Sequence, residues 1–175
     1  MKVLVVGSGG REHAVVKKLA ENPEIERIYC APGNGGISVQ ATPVDIKAID
    51  AEGMVAFAKK EGIDFAVVTP DDPLVLGMAD AMEEAGVPAF GPSKKAAQIE
   101  GSKVFAKNLM KKYGIPTAKY EVFDDPGKVV EYIERENCLP AVIKADGLAL
   151  GKGGGVGAGL YRFPYGVAHG VIHGS

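Results

Sequence analysis

A glycine-rich stretch near the start of the chain, Gly7-Ser8-Gly9-Gly10-Arg11-Glu12-His13, has the residue types of an anion-binding turn. Before it, the apolar run Val3–Val6 is typical of a strand that is buried on both faces. After it, apolar residues recur at helical spacing as far as Asn22. The sequence therefore predicts a strand, a turn and a helix whose free N–H groups and positive dipole end point out of the turn. Such a turn suits a phosphate or a carboxylate.

Polar residues in the first helical turn favour a ligand over a plain turn. Arg11, Glu12 and His13 follow the glycines directly, and all three side chains can face a ligand from there. A dinucleotide is disfavoured, because Glu12 occupies the place of its third glycine and no acidic residue follows the next predicted strand, Arg27–Ala31. We expect a phosphate or carboxylate rather than NAD. A tight turn without any ligand is the alternative that the glycines alone leave open.

Two other loops follow predicted strands and contain polar residues. Pro32-Gly33-Asn34 comes after the second strand, and Asp71 and Asp72, flanked by prolines, come after the buried strand Phe65–Thr69. Ligands of parallel sheets bind at the carboxyl ends of strands, and the two carboxylates would accept hydrogen bonds from an amine or hydroxyl groups. The alternatives are a surface turn for the first loop and a helix N-terminus, capped by Asp72, for the second.

A lysine inside an apolar strand is the most unusual residue of the chain. Lys144 lies within the predicted strand Ala141–Ala145, although lysine is rarely buried without a partner. The flexible segment Gly147–Gly153 follows, with Lys152 between Gly151 and Gly153, and it suits closure over a triphosphate. It is not a P-loop, because its glycines are one residue too close and Gly153 stands where Ser or Thr binds magnesium. The alternative for Lys144 is an edge lysine whose ammonium reaches solvent.

Strand and helix patterns alternate over the first part of the chain, which predicts an α/β fold with a doubly wound parallel sheet and right-handed crossovers. Several of these helices have an aspartate at the expected start or a glycine at the expected end. The predicted strands are 3–6, 27–31, 41–44, 65–69, 87–90, 118–123 and 141–145, and the helices after the first are 51–60, 74–85, 94–100, 103–112 and one that begins at Pro126.

Composition excludes several function classes. The 175 residues carry a net charge of −2 with both signs interspersed, so we expect neither a nucleic-acid nor a membrane partner. No apolar run approaches the roughly 20 residues of a membrane span, and the first residues lead directly into a strand without a signal-peptide pattern. The cysteines, Cys30 and Cys138, lack metal or redox spacing. We expect reduced thiols and a cytoplasmic location.

Six stretches carry a resemblance to known proteins. In chain order they are Gly7–Ala14, Ala31–Asn34, Phe90–Pro92, Ala97–Lys103, Gly114–Thr117 and Val142–Gly153. Taken together and in this order, they resemble the glycinamide ribonucleotide synthetase family of ATP-grasp enzymes. Any one of them alone would be weak, but jointly they are specific and cover residues 1–153.

The resemblance implies a reaction and its ligands. In this family ATP phosphorylates the carboxylate of glycine, and the amine of 5-phosphoribosylamine attacks the resulting glycyl phosphate to give glycinamide ribonucleotide, ADP and phosphate. Mg²⁺ or Mn²⁺ accompanies the ATP, since the phosphoryl groups need cations. Partners are thus expected to be small molecules, and the protein a monomer or a weak dimer.

Site residues follow from the resemblance by position. It implies that Lys103, Lys144, Gly151, Lys152 and Gly153 bind ATP, and that Gly9, Gly10, Arg11, Glu12, His13, Pro32, Gly33, Asn34, Asp71 and Asp72 bind the substrate. Catalytic residues and metal ligands are expected in the family's C-terminal part, with no metal site in this chain. One departure is Thr69-Pro70-Asp71, where the family commonly has Gly-Pro-Glu.

The resemblance also implies a division of the chain. Residues 1–100 correspond to a Rossmann-like domain that precedes the ATP-grasp part, 101–122 to a helical linker and 123–153 to the start of the small ATP-grasp subdomain. Residues 154–175 are rich in glycine, lack Asp, Glu and Lys, show no periodicity and match no part of the family. Their composition fits a shifted reading frame or an artificial terminus. We expect this tail to be mobile and the strands that would pair with 123–153 to be missing.

Three hypotheses follow. The first is an enzyme of this family, represented by a truncated chain that does not catalyse ligation alone. The second is a stand-alone nucleotide-binding or phosphate-sugar-binding fragment without turnover. The third is a folding remnant with no function of its own.

Overall fold

A computed structural model describes residues 1–136, 141–147, 154–157 and 170–174 of the chain. The chain divides into two compact units, Met1–Ala97 and Gln98–Ser175. Within the described ranges, no helix combines the length and the apolar content needed to cross a membrane.

The first unit is built on a five-stranded parallel sheet, which confirms the predicted doubly wound fold. The strands are β1 (Lys2–Gly7), β2 (Arg27–Pro32), β3 (Thr42–Pro43), β4 (Phe65–Val68) and β5 (Ala89–Phe90). The strand order β3-β2-β1-β4-β5 means that the chain moves outward from β1 on one side and then returns to add β4 on the other side. The carboxyl ends of β1 and β4 therefore form a topological switch point, where ligands of such sheets bind.

Helices cover the sheet between these strands. They are α1 (Gly10–Leu19), α2 (Ala51–Glu61), α3 (Asp71–Leu76), α4 (Met78–Glu84) and α5 (Lys94–Gly101), with a 3-10 helix at Ile37–Val39. The predicted caps of α2 are confirmed. The Asp50 side chain accepts a hydrogen bond from the Gly53 N–H at 2.9 Å, and Gly62 ends the helix in the left-handed region at φ 64°.

The structure corrects two predictions about the segment after β4. The predicted single helix 74–85 is two helices, because Gly77 adopts φ 97° between them and interrupts the helical backbone. Asp72 is not the cap, since α3 already begins at Asp71 after an extended Pro70. Pro73 then lies within the first turn, where the missing N–H removes no helical hydrogen bond.

The core lies on both faces of the parallel sheet, as the run Val3–Val6 predicts. Side chains alternate along β1, so that Leu4 and Val6 pack into one buried cluster and Val3 and Val5 into the other. All four are at most 1% exposed. The sheet is therefore a rigid base for the loops that leave its carboxyl edge.

The second unit contains an antiparallel sheet and two helices. The elements are α6 (Lys103–Lys112), β6 (Tyr120–Phe123), α7 (Pro126–Glu136), β7 (Ala141–Ala145), β8 (Gly154–Gly157) and β9 (Gly170–Gly174). The strand order of the sheet is β6-β9-β7-β8. Its small core, Val129, Ile133 and Ala141, lies between α7 and the sheet. The Ser102 and Asp125 side chains accept hydrogen bonds from N–H groups of the first turns of α6 and α7.

The expectation that partner strands are missing is wrong. Both β8 and β9 come from the glycine-rich tail, and both pair with β7, while β9 also pairs with β6. Backbone N–H and C=O groups form these ladders, so a strand without periodic side chains still pairs. Residues 158–169 and 175 of the tail lie outside the described residues.

Replacement of Gly91 tests the packing at the end of β5. Gly91 has φ 156°, and a Cβ there would lie 2.8 Å from Leu74 Cδ2 and 3.1 Å from the Val68 carbonyl oxygen. Gly91→Ala should lower the free energy of unfolding by about 2 kcal/mol, since overpacking and an unfavourable φ combine. Urea titration followed by circular dichroism measures this.

Gly35→Ala is the matched control, because a Cβ at Gly35 meets no atom within 4 Å. Its unfolding free energy should change by less than about 0.5 kcal/mol. Equal effects of the two substitutions would contradict the packing described here.

Candidate functional site

Glu12 organises the loops at the switch point of the parallel sheet. Its side chain is 4% exposed, its Oε2 accepts a hydrogen bond from the Gly9 N–H at 2.6 Å, and its Oε1 accepts one from the Thr69 hydroxyl at 2.6 Å. The first bond is half of a capping box at the start of α1. The second ties that turn to the end of β4. Both Glu12 oxygens therefore have donors inside the protein. Contact of the Glu12 side chain with a ligand stays a prediction.

Gly7 makes this arrangement possible. Its φ of 127° lies in the region that favours glycine, and a Cβ would lie 2.6 Å from Glu12 Cγ and 2.8 Å from Pro70 Cγ. Only glycine leaves room for the carboxyl side chain between the two loops. The conformation of the turn thus depends on contacts across the sheet edge as well as on its own sequence.

Asn34 ties the loop after β2 to the same turn. Its Nδ2 donates to the Ser8 carbonyl at 2.7 Å, and its Oδ1 accepts from the Gly36 N–H at 2.8 Å and the Ile37 N–H at 3.0 Å. The Gly33 N–H donates to the Gly7 carbonyl at 3.0 Å. The structure therefore brings together the predicted groups Gly9–His13 and Pro32–Asn34, although the Asn34 side chain serves the loop itself.

Exposed polar groups surround this turn. Arg11 Nη1 lies 3.7 Å from Asp71 Oδ1, with 75% and 38% of the two side chains exposed. Such a surface pair contributes at most about 1 kcal/mol, so an anion can compete for the guanidinium. Asp72 is also exposed. The His13 ring lies beside Gly36, where a Cβ would approach His13 Cε1 to 2.8 Å.

Gly10 is the open position of the turn. A Cβ added there meets no protein atom within 4 Å, so the fold does not require glycine at this first residue of α1. The first N–H groups of a helix have no intrahelical acceptor. The Gly9 N–H donates to the Glu12 carboxylate. The N–H groups of the residues after Gly9 are therefore the candidates for binding an anion.

A second cluster joins the end of β7 to the start of α6 in the second unit. The Ser102 hydroxyl lies 3.1 and 3.0 Å from the two Asp146 carboxylate oxygens, and the Val104 N–H donates to Asp146 Oδ1 at 3.1 Å. Lys103 Nζ donates to the Gly147 carbonyl at 2.7 Å. Asp146 is not among the site residues predicted from the sequence. The signal available was an acidic residue at the end of a strand, directly before a glycine.

Lys144 lies on β7, which is flanked by β8 and β9, so the alternative of a lysine on an edge strand is wrong. Its side chain is half-buried. The other predicted nucleotide ligands, Gly151, Lys152 and Gly153, lie outside the described residues. Among the described residues, no group of His, Cys, Asp and Glu is arranged to hold a metal ion.

A groove of about 390 Å³ in the first unit is formed by residues before and at the starts of β2 and β3. None of the predicted site residues lines it. The chemistry-bearing residues are at the opposite, carboxyl edge of the sheet, so we assign the site to that edge.

Two family models match the chain. One, described as phosphoribosylglycinamide synthetase, N domain, covers residues 1–100, and the other, described as phosphoribosylglycinamide synthetase, ATP-grasp (A) domain, covers residues 101–159. The second match continues past residue 153, where the sequence analysis placed the end of the family resemblance. That limit is therefore corrected.

Curated relatives and a solved structure agree with these matches. Phosphoribosylamine–glycine ligase of Allochromatium vinosum is 50% identical over 155 residues, which are 87% of this chain and 36% of the relative. The Ralstonia nicotianae ligase is 48% identical over 172 residues, 98% of this chain and 39% of the relative. The crystal structure of the Thermotoga maritima ligase superimposes with a TM-score of 0.75 at 31% identity, over 99% of this chain and 43% of that one. The chain thus spans less than half the length of these proteins.

Replacement of Glu12 tests its place at the centre of the sheet edge. Glu12→Ala should lower the free energy of unfolding by about 2 to 3 kcal/mol, because the Gly9 N–H and the Thr69 hydroxyl lose their acceptor. Glu12→Gln should cost less, since one amide oxygen remains. Urea titration measures both.

Glu21→Ala is the matched control, since the Glu21 side chain forms an exposed pair with Lys18 at 2.6 Å. Its stability should be nearly unchanged. A Glu12→Ala protein as stable as this control would show that the buried carboxylate has no structural role.

The thiol of Cys30 gives a pH-dependent prediction. Cys30 is fully buried and its Sγ donates to the Gly7 carbonyl at 3.4 Å. Burial, and secondly the nearby Glu12 carboxylate, raises its pKa from 9.0 to about 11. Between these two values the unfolded chain has lost the thiol proton and the folded chain has kept it. The contribution of Cys30 to stability is therefore present below pH 9 and is lost as the pH rises towards 11.

Urea midpoints measured from pH 8 to 11 check this. Cys30→Ala should lower stability at pH 8 and flatten its decline above pH 9, whereas Cys138→Ser serves as the comparison thiol. Identical pH profiles of the unmodified chain and Cys30→Ala would contradict the raised pKa.

Proposed function

The chain belongs to the phosphoribosylglycinamide synthetase family, and from this membership we propose that it serves the ATP-dependent ligation of glycine to 5-phosphoribosylamine. The products are glycinamide ribonucleotide, ADP and phosphate. The observation that carries the proposal is the 50% identity with a phosphoribosylamine–glycine ligase over 87% of this chain. The arrangement of charged and open groups in both units supports it.

The proposed chemistry has two steps. ATP supplies an activated phosphoryl group, which is transferred to a carboxylate oxygen of glycine to form glycyl phosphate as ADP leaves. The amine nitrogen of 5-phosphoribosylamine then attacks the carbonyl carbon, the bond from carbon to the phosphate oxygen breaks, and the nitrogen loses a proton. Negative charge accompanies both steps, so the residues that bind these molecules must offer cations and N–H donors.

In the first unit we assign the sugar phosphate to the turn Gly9–His13. The start of α1 offers unpaired N–H groups and the positive end of a helix dipole. Arg11 adds a guanidinium whose exposed partner, Asp71, an anion can displace. Gly10 leaves the approach to the backbone open. Glu12 has the different task of holding the turn against β4.

In the second unit we assign the ATP phosphates to Lys103 and Lys144. Both ammonium groups belong to the segments that the ATP-grasp model matches. Lys103 is half-buried, and its ammonium donates to the Gly147 carbonyl oxygen, which a phosphate oxygen can replace. Gly151, Lys152 and Gly153 complete the proposed set. Mg²⁺ or Mn²⁺ remains an expectation from the family, and no described residue is assigned to it.

A crossed binding experiment tests these assignments on the 175-residue chain. Glycinamide ribonucleotide and the magnesium complex of AMP-PNP, a non-hydrolysable ATP analogue, are titrated separately by calorimetry. Gly10→Ala and Arg11→Gln should weaken binding of the ribonucleotide about tenfold, or about 1.4 kcal/mol, and leave the nucleotide affinity unchanged. Lys103→Met and Lys144→Met should show the opposite selectivity.

Lys17→Gln is the control for Arg11→Gln, because it removes an exposed positive charge from the last turn of the same helix. It should affect neither ligand. Equal losses for both ligands in a folded variant would contradict separate sites. Binding of both ligands without any ligation of glycine would favour the alternative of a binding fragment.

A further inference from the structure

Asp146 forms a connection that none of the family matches assigns. It directly follows β7 and precedes Gly147, which has φ 89° and begins the glycine-rich segment 147–153. The Asp146 carboxylate accepts from the Val104 N–H and lies within hydrogen-bond distance of the Ser102 hydroxyl through both oxygens. One side chain at the start of the glycine-rich segment therefore holds the N-terminus of α6.

The hydroxyl of Ser102 and the carboxylate of Asp146 share the capping of α6. Ser102 is the local cap, since its Oγ accepts from the Phe105 N–H at 3.0 Å. Asp146 is a remote cap, 42 residues along the chain from Val104. A carboxylate is favoured here because it satisfies an N–H without an intrahelical acceptor and lies at the positive end of the helix dipole.

Lys103 lies between these two capping contacts. It is the first residue of α6, and its ammonium donates to the carbonyl of Gly147, the residue after Asp146. The main chain around Lys103 and the end of its side chain are thus both held by the Asp146-Gly147 dipeptide. A long lysine side chain loses considerable rotamer freedom when it is ordered, so ordering it before a ligand arrives lowers the cost of binding.

We propose that Asp146 is a positioning residue for nucleotide binding, which acts through Lys103. It fixes the start of α6 against the end of β7, and the Gly147 carbonyl holds the Lys103 ammonium until a phosphate oxygen takes its place. The inference rests on the proposed role of Lys103 as a phosphate ligand. Asp146 itself needs no contact with the nucleotide.

A double-mutant cycle tests whether Asp146 acts through Lys103. The affinity of the 175-residue chain for the magnesium complex of AMP-PNP is measured for Asp146→Ala, Lys103→Met and the double variant. Asp146→Ala should weaken binding about fivefold, and in the Lys103→Met background it should have little further effect. Asp146→Asn should recover most of the affinity, because its amide oxygen still accepts from the Val104 N–H.

Asp125→Ala is the matched control for loss of a helix cap. Asp125 Oδ1 accepts from the Gly127 N–H at 2.6 Å and from the Lys128 N–H at 3.2 Å at the start of α7. This variant should lose thermal stability to an extent similar to Asp146→Ala and keep the nucleotide affinity of the unmodified chain. Equal loss of affinity in both variants would attribute the effect to general destabilisation and overturn the inference.

The outcomes separate this inference from the proposed function. If the unmodified chain does not bind AMP-PNP, or if Lys103→Met has no effect, the proposed nucleotide site fails and the inference with it. If Lys103→Met weakens binding but Asp146→Ala does not, or if the two effects are additive, only the positioning role of Asp146 is overturned.

Discussion

The buried carboxylate of Glu12 is the interaction on which the candidate site of the first unit depends. A carboxylate removed from water is costly unless its oxygens find donors. Here the donors are the Gly9 N–H and the hydroxyl of Thr69, a residue 57 positions away in the chain. Because both bonds must form together, they set the distance between the turn after β1 and the end of β4. The positions of the exposed side chains beside these bonds, Arg11 and Asp71, depend on that distance.

This constraint divides the residues of one motif between two tasks. The side chains of Glu12 and Asn34 hold the loops at the sheet edge, since they form hydrogen bonds with the backbone of the turn after β1. The Arg11 side chain is exposed, and a Cβ at Gly10 would meet no protein atom within 4 Å. A negative charge close to a proposed phosphate site is tolerable because both carboxylate oxygens already accept hydrogen bonds, and the Arg11 guanidinium is exposed. In the proposed function, an anion at this turn would depend on the support of the buried Glu12 carboxylate.

In the second unit a carboxylate also binds the start of a helix, but it comes from a distant part of the chain. Glu12 caps the helix on which it lies, whereas Asp146 reaches the start of α6 from the end of a distant strand. In both units, a carboxylate occupies donors at the start of a helix beside a glycine-rich segment. Such a contact joins the start of the helix to the end of a strand, β4 in one unit and β7 in the other. It also leaves a cation, Arg11 in one unit and Lys103 in the other, at the side of the acid.

The sequence by itself determined the features that depend on local chemistry. The buried run of β1 predicted a strand covered on both faces, Asp50 and Gly62 predicted the ends of α2, and the motif order predicted the family. Tertiary structure alone decided that the Glu12 carboxylate accepts from Thr69 and that the Asp146 carboxylate accepts from Val104. These contacts join residues more than forty positions apart, and no local pattern encodes which partner is near. Likewise, β8 and β9 pair through backbone groups that every residue type carries, so their side chains gave no periodic signal of the sheet they complete.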